Sequence, residues 1–185
     1  MKVYTDGVMA DAESLASATL EQRVARLENR CSISEAIAHY ARCVDARDAV
    51  DVASFFTEDG QLHGPGFPAV CGRAAIERFY GRLLPAMSSS THLVSNLQIM
   101  EEDPASALAA CVLWAWEGFG DELTFEGTPQ GENRFSLGRY EFHLVREQDG
   151  QWRAQAMHVH FAGQTGTGRF AEHLNRPWPP RPTQD

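Results

Sequence analysis

Apolar and polar positions follow two rhythms along this chain, helical in the first half and strand-like in the second. Leu15, Leu20, Val24 and Leu27 recur at helical spacing, which predicts a helix over 11–31. Ser32 followed by Glu35 has the form of a capping box, so a second helix is predicted over Ile33–Ala46. Its apolar stripe is Ile33, Ile37, Tyr40, Ala41 and Val44. A short helix over Ala49–Phe56 spaces Val50, Ala53 and Phe56 for one buried face. The run TEDGQLHGPGFP reads as a turn, a short strand and a Gly/Pro loop. Arg73–Leu84 reads as another helix with Ile76, Phe79, Tyr80 and Leu83 inward.

Long strands follow, at about Ser90–Met100, Ala105–Phe119, Ser136–Glu147 and Gln151–Phe161. EEDPAS and EQDG suit hairpin connections. Residues 120–135 are acidic and Gly-rich and read as a long excursion, either a flap or an entrance loop. From Gly163 onward the chain ends in RPWPPRPTQD, which does not continue a sheet and favours an extended arm. Met1–Ala10 reads as disordered or loosely attached. Helices first and an antiparallel meander second make an α+β fold. Its expected form is a cone-shaped α+β barrel, with N-terminal helices packed on a strongly bent, mainly antiparallel sheet around an apolar pocket. The expected organisation is an extension over 1–19, one domain over 20–162 and a Pro-rich arm over 163–185.

Composition narrows the function. The 185 residues are 43% hydrophobic and carry a formal net charge of −9, enough apolar material for one core. No basic cluster is present, which argues against nucleic acid as a partner. No apolar run approaches the roughly 20 residues that span a bilayer, and no membrane partner is expected. Cys31, Cys43, Cys71 and Cys111 are scattered without a CxxC pair; they read as free core thiols of a cytoplasmic protein.

The chemistry-bearing candidates lie at element ends. Asp45 falls late in a predicted helix and His92 opens a predicted strand. A carboxylate that orients an imidazole makes a general base able to work near neutral pH, a contribution of about 10²–10⁴-fold in rate. The plainer alternatives are an acid that only caps or solvates a helix end and a structural histidine. Asn96 shares a face with His92 if strict alternation holds; it suits a substrate oxygen or a structural bond. His158 and His160 share one face of the last strand, with Met157, Val159 and Phe161 on the other. Such a pair is compatible with a metal, together with His63 or His143, but the reading adopted has no metal and places one of the two histidines in the pocket against a polar substrate group. Arg139, Glu141 and His143 read as a solvated or inter-subunit face. Trp114, Trp116, Phe79, Phe142 and Phe161 supply an aromatic wall, suited to stacking on a ring-containing substrate or to a core.

The segments LEQRVARLENRCSISEAIAHYARCVDARDAVDVASFFTEDGQLH, GRAAIERFYGRL, THLVSNLQI and GRYEFHLVREQDGQWRAQ together resemble, in order and spacing, a SnoaL-like domain of the nuclear-transport-factor-2-like superfamily. The similarity spans about residues 20–162. It is nearest in pattern to the branch of scytalone dehydratase, bile-acid 7α-dehydratase and hexachlorocyclohexane dehydrochlorinase. The resemblance implies that Asp45 orients His92 as the base, and it matches Tyr40 to a catalytic tyrosine. It implies no metal and no cofactor, and a homo-oligomer, with a trimer favoured. The last-strand arginine of some members is replaced here by the Met157–His160 region. The expected function is a lyase acting on a hydrophobic ring-containing small molecule, by dehydration, dehydrohalogenation or carbon–carbon cleavage such as deformylation of an aryl diol. An isomerase or polyketide cyclase is the alternative. A further one is a non-catalytic subunit resembling the small subunits of ring-hydroxylating dioxygenases.

Overall fold

A computed structural model describes residues 18–123 and 129–167. The expectations for Met1–Ala10, for Leu15 and for the Pro-rich end lie outside the described residues.

The two N-terminal helices expected from the pattern are one. Helix α1 runs without interruption over Leu20–Ala46. Its cap is Thr19, whose hydroxyl accepts from the Gln22 N–H at 3.2 Å while Gln22 Oε1 accepts from the Thr19 N–H at 2.9 Å. Ser32 caps nothing, because no Gly or Pro interrupts the turn around it. Ser34 bonds instead to the Arg30 carbonyl one turn back, as a serine inside a helix does. The stripe from Ile33 to Val44 is buried as expected. Leu20 and Leu27 are exposed, so the first half of the helix packs little against the body. Helix α2 is Ala49–Ser54, capped by Asp48. It ends before Phe56, and Val50 points to solvent.

Strands β1 (Phe56–Gly64) and β2 (Phe67–Cys71) form a hairpin. Pro65 and Gly66 turn it, and Gly66 takes φ 85°, the backbone that the third position of a type II turn requires. Helix α3 (Arg73–Leu83) and a short 3₁₀ turn (Leu84–Ala86) lead to β3 (Ser89–Asp103), β4 (Ser106–Leu123), β5 (Pro129–Arg146) and β6 (Trp152–Gly166). The sheet has six strands in the order β2-β1-β6-β5-β4-β3. All neighbours are antiparallel except β1 and β6, which run parallel. The sheet is therefore mixed and open, with the helices packed against it, and the fold is α+β.

Two predicted breaks are shorter than expected among the described residues. Residues 120–123 and 129–135 are strand, because β4 runs on to Leu123 and β5 starts at Pro129, with Phe119 opposite Glu132 and Leu123 opposite Pro129; the rest of the predicted excursion, 124–128, lies outside the described residues. Cross-strand pairing satisfies these backbone groups despite the glycines. Strand β6 likewise continues through Gly163 to Gly166 beside Arg134. Of the four free cysteines only Cys43 and Cys111 are core thiols; Cys31 and Cys71 are exposed.

The core lies between α1 and the inner sheet face and includes Tyr40, Phe56, Phe142, Leu113 and Met157. Each such side chain contributes about 1.5–3 kcal/mol on burial. Gly138 marks an offset between β5 and β6. A Cβ there would lie 2.0 Å from the His160 carbonyl oxygen, whereas one on Gly81 in α3 would meet nothing within 4 Å. Gly138→Ala therefore destabilises by about 1–3 kcal/mol or more, and Gly81→Ala stabilises by about 0.5–1 kcal/mol through helix propensity. Urea midpoints at unchanged m-value check both.

Candidate active site

The last turn of α1 meets the first residues of β3. At the helix end Arg47 adopts φ 61°, a left-handed cap that turns the chain back. Its guanidinium donates to the carbonyls of Met87 at 2.9 Å and Ser88 at 3.2 Å, tying the helix end to the strand start. Two residues earlier, Asp45 accepts three hydrogen bonds from that strand. His92 Nδ1 lies 2.7 Å from Oδ1, the His92 backbone N–H 2.9 Å from Oδ2, and Ser90 Oγ 3.0 Å from Oδ1. The His92 side chain is 6% exposed and that of Asp45 27%. Burial alone would push the Asp45 carboxyl up, but the bonds from the His92 ring, the His92 backbone and Ser90 outweigh it, so it lies below its ordinary value. With Nδ1 held by the carboxylate, the ring is fixed and Nε2 is the nitrogen left for other partners.

His92 lines a cavity of about 190 Å³. Its aromatic floor includes Tyr40, Phe79, Tyr80, Tyr140 and Phe161. The Tyr40 and Tyr80 hydroxyls are 2.6 Å apart. Burial raises Tyr40 and Tyr140 well above their ordinary values and pushes Tyr80 up to about 12, so all three stay protonated and able to donate. Glu117 and Arg134 also line the cavity. They face each other across β4 and β5 and bond twice, Nε to Oε2 and Nη2 to Oε1, the latter at 2.8 Å. Removing one member of such a buried pair typically costs about 3–5 kcal/mol.

The sequence-derived candidates divide. Asp45, His92, Tyr40 and Phe79 come together at this cavity, Asp45 from behind the ring. Trp114 and Trp116 do not, because Leu113, Ala115 and Glu117 hold the inward positions of β4. Trp114 is 45% exposed and packs on Phe135 outside, with ring centroids 5.3 Å apart. Asn96 is also displaced: it sits with φ 52° where the β3–β4 register slips between Ser95 and Gln98, which breaks the alternation from His92, and it is exposed. His158 and His160 point away from the cavity, since Met157 enters the core and Val159 and Phe161 line the cavity from β6. Burying that apolar set costs less than burying two imidazoles. His158 stacks on His63 at 4.3 Å outside, and His160 Nε2 approaches Glu141 Oε2 at 3.3 Å. No group of three or more metal-ligating side chains occurs among the described residues.

Ser90, Glu117, Arg134, Ser136, Tyr80 and Tyr140 complete the surroundings of the dyad and escaped notice as site residues. Ser90 had a signal, being two residues before His92 and so on its face. Glu117 had one too, as an acid in phase with Leu113 and Ala115. Arg134 was hidden by the loop reading of 120–135. A larger groove of about 470 Å³, lined by Cys31, Glu35, His39, Arg42 and Arg153 among others, contains neither dyad residue. Its Arg153 is already committed to Asp149, Glu147 and the Ser54 carbonyl.

Residues 25–158 match the family described as the SnoaL-like domain. The chain belongs to that family. Among curated proteins none matches this SnoaL-like chain significantly. Solved structures do. A candidate scytalone dehydratase from Novosphingobium aromaticivorans is 20% identical with TM-score 0.68, over 79% of this chain and 92% of that one. A candidate aromatic ring hydroxylase from the same organism is 26% identical with TM-score 0.67, over 76% and 94%. A hexachlorocyclohexane dehydrochlorinase is 17% identical with TM-score 0.67, over 80% and 94%. The SnoaL-like fold is thus shared with proteins named for a dehydratase and a dehydrochlorinase. No helix among the described residues is long and apolar enough to cross a membrane.

The lowered Asp45 value fixes a sign. A depressed carboxylate stabilises above its unfolded value of about 3.9, and that contribution is lost as pH falls through the folded value. The melting temperature of wild type therefore exceeds that of Asp45→Asn at neutral pH, and the gap narrows as pH falls below about 4. Melts followed by circular dichroism check it; a gap constant with pH contradicts it.

Proposed function

We propose that the protein is a lyase in which His92, oriented by Asp45, is the general base for elimination from a small ring-containing molecule. The observation that carries this reading is the 2.7 Å Asp45–His92 contact beside a cavity that His92 itself lines. His92 Nε2 takes a proton from a C–H or O–H of the substrate. The released electron pair forms the new double bond as a hydroxide, halide or carbon fragment departs. Asp45 stabilises the imidazolium that results. Tyr40, with its hydroxyl against Tyr80, is the donor for a departing hydroxyl or a carbonyl oxygen, because burial keeps both phenols protonated. No step needs a cofactor. The cavity of about 190 Å³ is close to the roughly 150 Å³ that encloses benzene, which favours a single ring over a steroid. The neighbours named for a dehydratase and a dehydrochlorinase support elimination by likeness of fold. The exposed Leu93 and Trp114 on the outer sheet face support a self-associating protein, and a trimer is proposed.

The test is a panel of hydroxylated and halogenated single-ring compounds, followed for a new double bond by absorbance and for the leaving fragment by mass. On the substrate so found, His92→Ala and Asp45→Asn each lower kcat by at least about tenfold while keeping the wild-type circular dichroism spectrum. Wild-type turnover in both variants rejects the dyad. A product of unchanged mass assigns the same base to isomerisation.

A further inference from the structure

We propose that Glu117, Arg134 and Ser136 form a substrate-selecting subsite, which accepts an uncharged ring compound bearing a hydroxyl or carbonyl oxygen and rejects carboxylates. The inference rests on the cavity being the reactive site proposed above. It is carried by two adjacent rows of side chains across the sheet.

In the first row Ser90, Glu117 and Arg134 are successive cross-strand partners on β3, β4 and β5. In the second, His92, Ala115 and Ser136 are. The middle member of the second row is only a methyl group. A gap therefore opens over β4 between the base on β3 and the hydroxyl on β5. Its width is two strand spacings, about 10 Å backbone to backbone, which suits one ring. Across the gap Ser136 is buried. Its oxygen accepts from Gln164 Nε2 at 2.9 Å, and its O–H has no acceptor among the described residues. A hydroxyl spends one donor and offers two lone pairs, so Ser136 is left able to donate to an oxygen brought in by the substrate.

The first row sets the charge. Besides His92, Glu117 and Arg134 are the ionisable acid and base in the cavity lining, and they cancel each other through two bonds. The Arg134 guanidinium also lies over the Phe119 ring, 5.7 Å from its centroid. An entering carboxylate meets a cation whose charge is already balanced by a carboxylate, and it must give up its hydration without a counter-charge. A neutral oxygen gives up far less and gains the Ser136 donor. The pair adds little to stability by itself; its effect is to leave the polar end of the cavity electrically neutral.

The test is equilibrium binding of phenol, toluene and sodium benzoate to the full chain at fixed ionic strength near neutral pH, by protein-observed NMR titration. Wild type binds phenol at least about tenfold tighter than benzoate. Glu117→Gln keeps the shape and removes the carboxylate that bonds Arg134 twice, so benzoate affinity rises at least about tenfold while phenol changes little. Adding Arg134→Gln to that variant abolishes the gain. Ser136→Ala brings phenol down towards toluene. Equal binding of phenol and benzoate by wild type overturns the proposal, as does failure of any probe to bind. Unchanged benzoate affinity in folded Glu117→Gln also overturns it. If Glu117→Gln alone does not fold, the double variant, neutral at both positions, is compared with wild type, and tighter benzoate binding in it overturns the proposal. Repeating the titrations in His92→Ala separates the two readings. Intact phenol selectivity there, alongside full turnover by His92→Ala on a confirmed substrate, removes the base and leaves the subsite.

Discussion

One carboxylate joins the two halves of this molecule. Asp45 ends the helical half and accepts every hydrogen bond that the first inward residues of β3 offer it, from Ser90, the His92 backbone and the His92 ring. Arg47 reinforces the same junction by holding Met87 and Ser88. The attachment that positions the helix on the sheet is thus also the attachment that fixes the imidazole. A charge-assisted bond of this kind is stronger than a neutral one, and here its strength is turned to geometry: the ring cannot rotate without breaking its bond to Asp45.

What lay open in the sequence was whatever depended on period and order. The stripe from Ile33 to Val44, the two hairpin connections and the four long strands follow from local patterns, and the α+β class follows from their order. The Asp45–His92 pair was readable only through the register of a family resemblance, since nothing local says that residues 47 apart will touch. What was misread depended on partners. Ser32 looked like a cap because a capping box is a local motif, but continuous packing of the helix overrode it. Gly120 and Gly131 looked like parts of a loop, yet pairing between two long strands outweighed their weak propensity, and with them Arg134 was lost from view.

The question of which face points inward was decided by energetics that periodicity does not contain. On β6 both alternating sets were visible, histidines on one and Met157, Val159 and Phe161 on the other. The apolar set won the interior. On β4 the tryptophans yielded the interior to Leu113, Ala115 and Glu117, leaving a small residue where a ring needs room. A one-residue slip on β3 moved Asn96 out of phase, which no count of twos anticipates. Most of the polar groups at the cavity come in mutually satisfying sets: carboxylate with imidazole, phenol with phenol, guanidinium with carboxylate.

The parallel seam between β1 and β6 has a consequence for how the chain is made. Among the described strands the earliest to leave the ribosome pairs directly with the last, and β6 lies between β1 and β5 in the sheet. Until Trp152–Gly166 has been synthesised, β1 and β2 have only each other, and a lone two-stranded ribbon is marginal in water. The two parts of the sheet are therefore joined only once β6 has been made. A stop codon just before Trp152, which would spare both members of the dyad, would leave the sheet in two disconnected pieces.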